Sequence, residues 1–192
     1  MYLLRRIFKT KPGEARRVAS LLQKQAQIFH DAGQRSEFKV AETLLSREQT
    51  VSVAEACTNG LLGYTLGTIP GASRFFPGGV IAYTGGLKEK ILGVPDELYE
   101  TAGSVSREMA IAMARGVLVL TGTDYALSTT GVTGPAAGRS GLPIGTFWIG
   151  LAVKGGVDAA IEIRVGGDRD ATKHGAVQSA INLLGNQLAA GG

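Results

Sequence analysis

Three stretches of this chain set reactive side chains among small residues that leave room around them. In the first, Val51-Ser52-Val53 passes through Glu55, Ala56, Cys57, Thr58, Asn59 and Gly60 into the helical spacing of Leu61, Leu62 and Leu66. A strand that breaks through small residues into a helix presents a nucleophile on a tight turn. It also exposes backbone N–H groups that attract anions. Cys57 and Thr58 are the nucleophile candidates of that turn, and Ala56 is chemically inert. Glu55 could serve as a base, although one carboxylate at a strand end more often satisfies nearby N–H groups. In the second stretch Lys88 follows Tyr83 across Thr84-Gly85-Gly86. A lysine held near a strand end and partly stripped of water can act as a general base. The commoner alternatives are an exposed lysine at a helix start, a core aromatic with a wet hydroxyl for Tyr83, and a small buried hydrophobe for Cys57. The third stretch is the Gly-rich loop from Thr130 to Gly138. Its N–H groups and hydroxyls suit a phosphate, while a tight turn needing positive φ is the competing reading. Arg169 either meets such a phosphate or faces solvent beside the helix start at Asp168 and Asp170.

Composition narrows the classes that these residues can serve. With 192 residues, 44% apolar and 19% charged, the chain is globular and has enough length for one full core or for one domain plus an appendage. No apolar run reaches the roughly 18 residues that a bilayer span requires, and no secretory apolar region follows the first basic residues. The single cysteine excludes an internal disulfide and fits a cytoplasmic location. His30 and His174 are far apart, so no metal-ligand spacing arises and no metal is expected. The charge is uneven. Residues 1–48 hold 10 Lys and Arg against 5 Asp and Glu, whereas residues 49–192 hold 10 against 11. The basic excess therefore belongs to the N-terminal segment. A solvated helix face explains it better than nucleic-acid binding, because no aromatic or Gly-rich nucleic-acid motif accompanies it.

The elements that must position the candidates follow from periodicity. Tyr2 to Phe8 reads as a strand, Lys11-Pro12-Gly13 as a turn, and Glu14 to Phe29 as a helix with Ala15, Val18, Leu22, Ala26 and Phe29 on one face. This βα pair has too little core to stand alone, and docking on the rest or pairing with a second copy would complete it. A boundary falls near residue 39. A short helix over Phe38–Leu45, the central strand and a helix from about Cys57 to Gly67 come next. Val80 to Tyr83 is a strand, Leu87 to Leu92 a short helix, and Pro95 opens another. Ser106 caps a long helix with Met109, Met113, Val117 and Leu120 inward. Tyr125 to Thr130 is a strand, and Gly145–Val153 with Val157–Val165 form a hairpin turning at Gly155-Gly156. Asp168 or Asp170 caps the last helix, whose face is Val177, Ile181, Leu184 and Leu188. The expected fold is a three-layer α/β/α domain with a mixed sheet closed by one antiparallel pair, carrying an N-terminal βα extension over residues 1–39. Ligands in such sheets bind where strand ends meet loops.

Six motifs in order, A-E-A-C-T-N-G-L-L, I-P-G-A-S-R-F-F-P-G-G-V-I-A-Y-T-G-G-L-K, L-G-V-P, G-S-V-S, T-T-G-V-T-G-P and P-I-G-T-F-W-I-G-L, resemble the C-terminal domain of CinA proteins. The resemblance covers roughly residues 40 to 188, and the domain is expected over 40–192. That family contains amidohydrolases that convert nicotinamide mononucleotide (NMN) to nicotinate mononucleotide and ammonia. The resemblance implies a catalytic set of Ala56, Tyr83 and Lys88, with the family's nucleophilic serine falling on Ala56. It implies a substrate-binding set of Thr58, Gly60, Thr130, Gly131, Gly134 and Arg169. The family's S-C-T-G-G reads A-C-T-N-G here, so Asn59 replaces a glycine, and Gly85-Gly86 replace an Asn-Glu-like pair. No cofactor is implied, and the expected partner is a small-molecule mononucleotide, with a homo-oligomer compatible with the extension.

The implied chemistry is that of a Ser–Lys pair, in which an unprotonated lysine takes the hydroxyl proton and turn N–H groups hold the oxyanion. Ala56 removes the oxygen that Lys88 would activate. Three outcomes stay open: a retained pocket with little turnover, a nucleophile shifted to Cys57 or Thr58, and a non-enzymatic nucleotide-binding or interaction module.

Overall fold

The computed structural model describes residues 36–135 and 141–191, which belong to one compact unit, Ser36–Gly192. The strand and helix read over residues 2–29 and the Ala136–Gly138 end of the Gly-rich loop lie outside them. Helix α1 is Ser36–Ser46, strand β1 Val51–Glu55 and helix α2 Leu61–Gly67. A 3₁₀ turn at Ala72–Arg74 precedes β2, Gly78–Ile81. Helices α3 (Gly85–Leu92), α4 (Glu97–Thr101) and α5 (Arg107–Thr121) lead to β3 (Tyr125–Gly131), β4 (Thr146–Val153), β5 (Ala159–Arg164) and α6 (Arg169–Ala190).

The five strands lie in the order β2-β1-β3-β4-β5. Strand β1 is parallel to both β2 and β3, and β4 is antiparallel to both β3 and β5. The sheet is thus mixed, as expected, but it contains two antiparallel ladders where one was read. The reason is that β3 returns through the Gly-rich loop straight into β4, pairing Gly131 with Phe147, a long-loop connection with no periodic signal. The β4–β5 hairpin is present, yet its connection runs over five residues, 154–158, and is not a two-residue Gly-Gly turn.

Alternation along the strands sorts the two faces. Val51, Val53, Leu127, Ile149 and Leu151 share a buried cluster with α1, α2 and α6 residues, among them Leu44, Leu62, Ile181 and Leu184. The opposite face is built of small residues, Ala54, Ala126 and Ala152, under α3 and α5. Small side chains there let α5 come close: a Cβ at Gly150 would collide with the Ala110 carbonyl, and Ser128 Oγ donates to that carbonyl at 2.5 Å. Ser106 Oγ accepts from Met109 N–H and caps α5, and Asp168 accepts from Ala171 N–H and caps α6. One inward assignment fails. Leu120 is exposed and Leu118 is buried, because periodicity fixes a helix face but not where the covering layer stops. No helix among the described residues is long and apolar enough to cross a membrane.

Candidate functional site

The chain leaves β1 toward β2 on one side and enters β3 on the other, so the crevice at the carboxyl ends of these strands is a topological switch point. Their ends are stitched together: Ala56 N–H donates to the Thr129 carbonyl at 3.0 Å and Ala82 N–H to the Glu55 carbonyl at 2.8 Å. Ala56 is buried in the small-residue cluster with Ala82, Leu92 and Met109.

The turn after β1 differs from its sequence reading in two ways. First, Cys57 to Gly60 are a turn, and the helix begins only at Leu61. Asn59 (φ 54°) and Gly60 (φ 94°) are left-handed, a conformation incompatible with continuing a helix. Second, the N–H groups at the start of α2 hold an internal anion. Glu55, buried, accepts from the N–H groups of Gly60 (3.0 Å), Leu62 (3.1 Å) and Gly63 (2.7 Å) and from the Thr58 hydroxyl (2.6 Å). Glu55 is therefore a structural carboxylate that fixes the turn. Thr58 donates its hydroxyl hydrogen bond to Glu55 and lies 2.6 Å from the Thr129 hydroxyl, so the turn after β1 and strand β3 are tied by hydroxyls.

Cys57 is buried, and burial pushes its thiol up to about 12. A thiol so placed is neutral at physiological pH and has lost the thiolate that nucleophilic attack requires. In the folded chain, Cys57 is expected to react with iodoacetamide at pH 8 about a thousandfold more slowly than in denaturant, following the change in thiolate fraction. Reaction timed by mass spectrometry at both conditions checks this.

Lys88 departs from the exposed helix-start alternative. It lies on the inward face of α3 with Leu92, one turn on, and is only 4% exposed. Burial lowers its pKa below the ordinary lysine value, and the titratable group that it interacts with electrostatically is Cys57, the neighbour of Ala56. Its ammonium nitrogen lies 5.9 Å from the Tyr99 ring centroid. A desolvated amine of this kind holds its proton weakly and is suited to accept one from a partner. Tyr83 departs from the core-aromatic alternative and is 54% exposed, because β2 ends at Ile81 and Tyr83 lies beyond the sheet.

Arg169 is engaged, not solvated. Its guanidinium donates to the Thr133 hydroxyl, to the Gly134 carbonyl (2.6 Å) and to the Tyr83 hydroxyl (3.1 Å). One arginine at the start of α6 thus joins the loop after β3 to the segment after β2. Three of the five N–H donors of a guanidinium are used in these bonds. Thr130 donates to the Ser104 carbonyl at 2.6 Å and ties β3 to the loop before α5. Within the Gly-rich loop the reasons for glycine differ. Gly134 is left-handed at φ 76°, whereas Gly131 is strand residue whose Cβ would collide with the Phe147 ring. Sequence reasoning missed Tyr99, Ser104, Thr129 and Thr133. Of these, Ser104, Thr129 and Thr133 sit inside the motifs that carry the resemblance, which was the available signal, and Tyr99 lies outside them.

The fold is a mixed-sheet α/β domain with the ends of β1, β2 and β3 side by side and a buried lysine on the helix after β2. Residues 34–188 match the CinA C-terminal domain model, and the chain belongs to that family. It is 38% identical over 157 residues to a CinA-like protein of Dictyoglomus turgidum, covering 82% of this chain and 38% of that one. A CinA-like protein of Leptospira biflexa is 40% identical over 149 residues, covering 78% and 36%. The chain therefore spans less than two fifths of the length of these curated relatives. Among solved structures, a CinA superfamily protein from Klebsiella pneumoniae superposes with a TM-score of 0.78 at 31% identity, covering 80% of this chain and 96% of that one. A competence/damage inducible protein from Agrobacterium tumefaciens gives 0.73 at 30% identity, covering 80% and 96%.

Proposed function

We infer that this domain binds a pyridine mononucleotide at the ends of β1, β2 and β3, in a pocket of the NMN amidohydrolase type from which the nucleophilic oxygen is missing. The observation that carries the reading is the buried Lys88 amine set beside the turn that opens at Ala56. Arg169, with donors left over from its three protein bonds, is suited to the phosphate, and Tyr83 lies within its reach at 3.1 Å.

The chemistry this arrangement supports is acyl transfer through a serine at position 56. Neutral Lys88 would take the hydroxyl proton, and the oxygen would form a bond to the carboxamide carbon. The N–H groups of the Cys57–Thr58 turn would hold the oxyanion. Collapse breaks the C–N bond, and the departing ammonia takes its proton back from Lys88. Water, deprotonated by the same amine, then cleaves the ester and releases nicotinate mononucleotide. With Ala56 in place the sequence stops before its first bond, which favours a second reading, a nucleotide-binding module without turnover. The two share one requirement. Calorimetric titration of the chain with NMN is expected to give saturable binding, weakened at least tenfold in Arg169→Leu by loss of a charged phosphate contact. Absence of any heat of binding would reject both.

A further inference from the structure

Beside the strand ends lies a cavity of about 610 Å³ lined by Gly85, Tyr99, Gly103, Ser104, Val105 and Leu142. It is fixed to the site at two points. Thr130, at the end of β3, holds the Ser104 carbonyl. Gly85 opens the helix that carries Lys88, and its carbonyl accepts the Tyr99 hydroxyl at 3.2 Å. That bond, with the Gly85 backbone against the ring, fixes how Tyr99 is turned: a Cβ at Gly85 would sit 3.4 Å from Cε1. Tyr99 lines the cavity and also packs against the small-residue cluster to which Ala56 belongs. The same ring already has a cationic neighbour, with Lys88 Nζ 5.9 Å from its centroid.

An aromatic face carries negative potential and attracts cations, and a planar cation can also stack on it. We propose that Tyr99 is the residue that selects a positively charged aromatic base, the oxidised pyridinium of a mononucleotide, over an uncharged ring of the same size. This rests on the mononucleotide reading above. When Lys88 is in the neutral form its role requires, it does not compete for the ring, and the cationic charge of the ligand takes its place. Among the described residues the rest of the lining, Ala102, Gly103, Ser104, Val105 and Leu142, carries no charged side chain, so the ring is the group there that can tell a cationic ligand from a neutral one.

The test is calorimetry at pH 8 on the whole chain with two probes, NMN and its reduced form, which keeps the ribose phosphate and carboxamide but has an uncharged dihydropyridine ring. The unaltered chain is expected to prefer NMN by about three- to thirtyfold, the range of a cation–π contact. Tyr99→Phe keeps the preference because it keeps the ring. Tyr99→Leu and Tyr99→Met bring the two affinities together while still binding both. Two aliphatic variants are used so that one that fails to fold, judged by circular dichroism, leaves the other. A preference for NMN that survives in the aliphatic variants overturns the role of Tyr99 and leaves the pocket intact. An unaltered chain that binds both probes equally does the same. A chain that binds neither overturns the mononucleotide reading itself.

Discussion

Replacing Ala56 with serine is expected to raise ammonia release from NMN by at least about a thousandfold, since removing a serine nucleophile from an enzyme of this logic costs up to about a millionfold in turnover. The position is permissive. Ala56 sits on the turn side of β1 with its N–H anchored to the Thr129 carbonyl, so the backbone that would carry the hydroxyl is already held. The neighbouring residues cannot supply the missing oxygen or sulfur. Cys57 is a buried neutral thiol, and the Thr58 hydroxyl is engaged with Glu55 and Thr129. A coupled ammonia assay on the two proteins at equal concentration decides the matter. An Ala56→Ser protein that binds NMN yet releases ammonia no faster than the unaltered chain would show that the lysine is not poised to activate position 56.

Lys88→Met in the Ala56→Ser background is expected to remove nearly all of that gain, returning the rate to within about tenfold of the starting chain, because the sole proton acceptor of the first step is gone. The same change should stabilise the fold. Lys88 is buried and its folded pKa lies below the ordinary 10.5, so the folded state disfavours the ammonium. At pH 7 the unfolded chain binds that proton more readily than the folded one, and the difference counts against folding. Stability should rise with pH between the lowered folded value and 10.5, and above 10.5 the penalty disappears. Chemical denaturation of Lys88→Met should therefore show a raised midpoint at pH 7 and a smaller rise near pH 10.5. By the same sign, the Ala56→Ser rate should climb with pH and level off below the ordinary lysine value, as Lys88 loses its proton. A pH profile that levels off only above 10.5 would assign the base to another group.

The fold was legible in the sequence where one physical signal dominates. Apolar runs marked β1 and β3, a 3.6-residue period marked α5 and α6, and Ser106 and the choice of Asp168 or Asp170 marked their starts, because each of these signals is local. The two antiparallel ladders were only half visible, since the second depends on which strand end a long loop reaches. Tyr99 was invisible for the same reason: nothing in E-L-Y-E-T relates it to Lys88, and only the fold of α3 against α4 brings ring and amine together.

By itself the sequence determined the family, the three loops around the crevice and the identity of the residue at position 56. Order of motifs and side-chain type are written in the chain and need no coordinates. The tertiary structure decided the state of each group. It placed Lys88 out of water, filled the N-terminal donors of α2 with Glu55, neutralised Cys57 and joined Arg169 to Tyr83. Those are consequences of solvent exclusion and of distances between residues far apart in sequence, and neither quantity has a local signature.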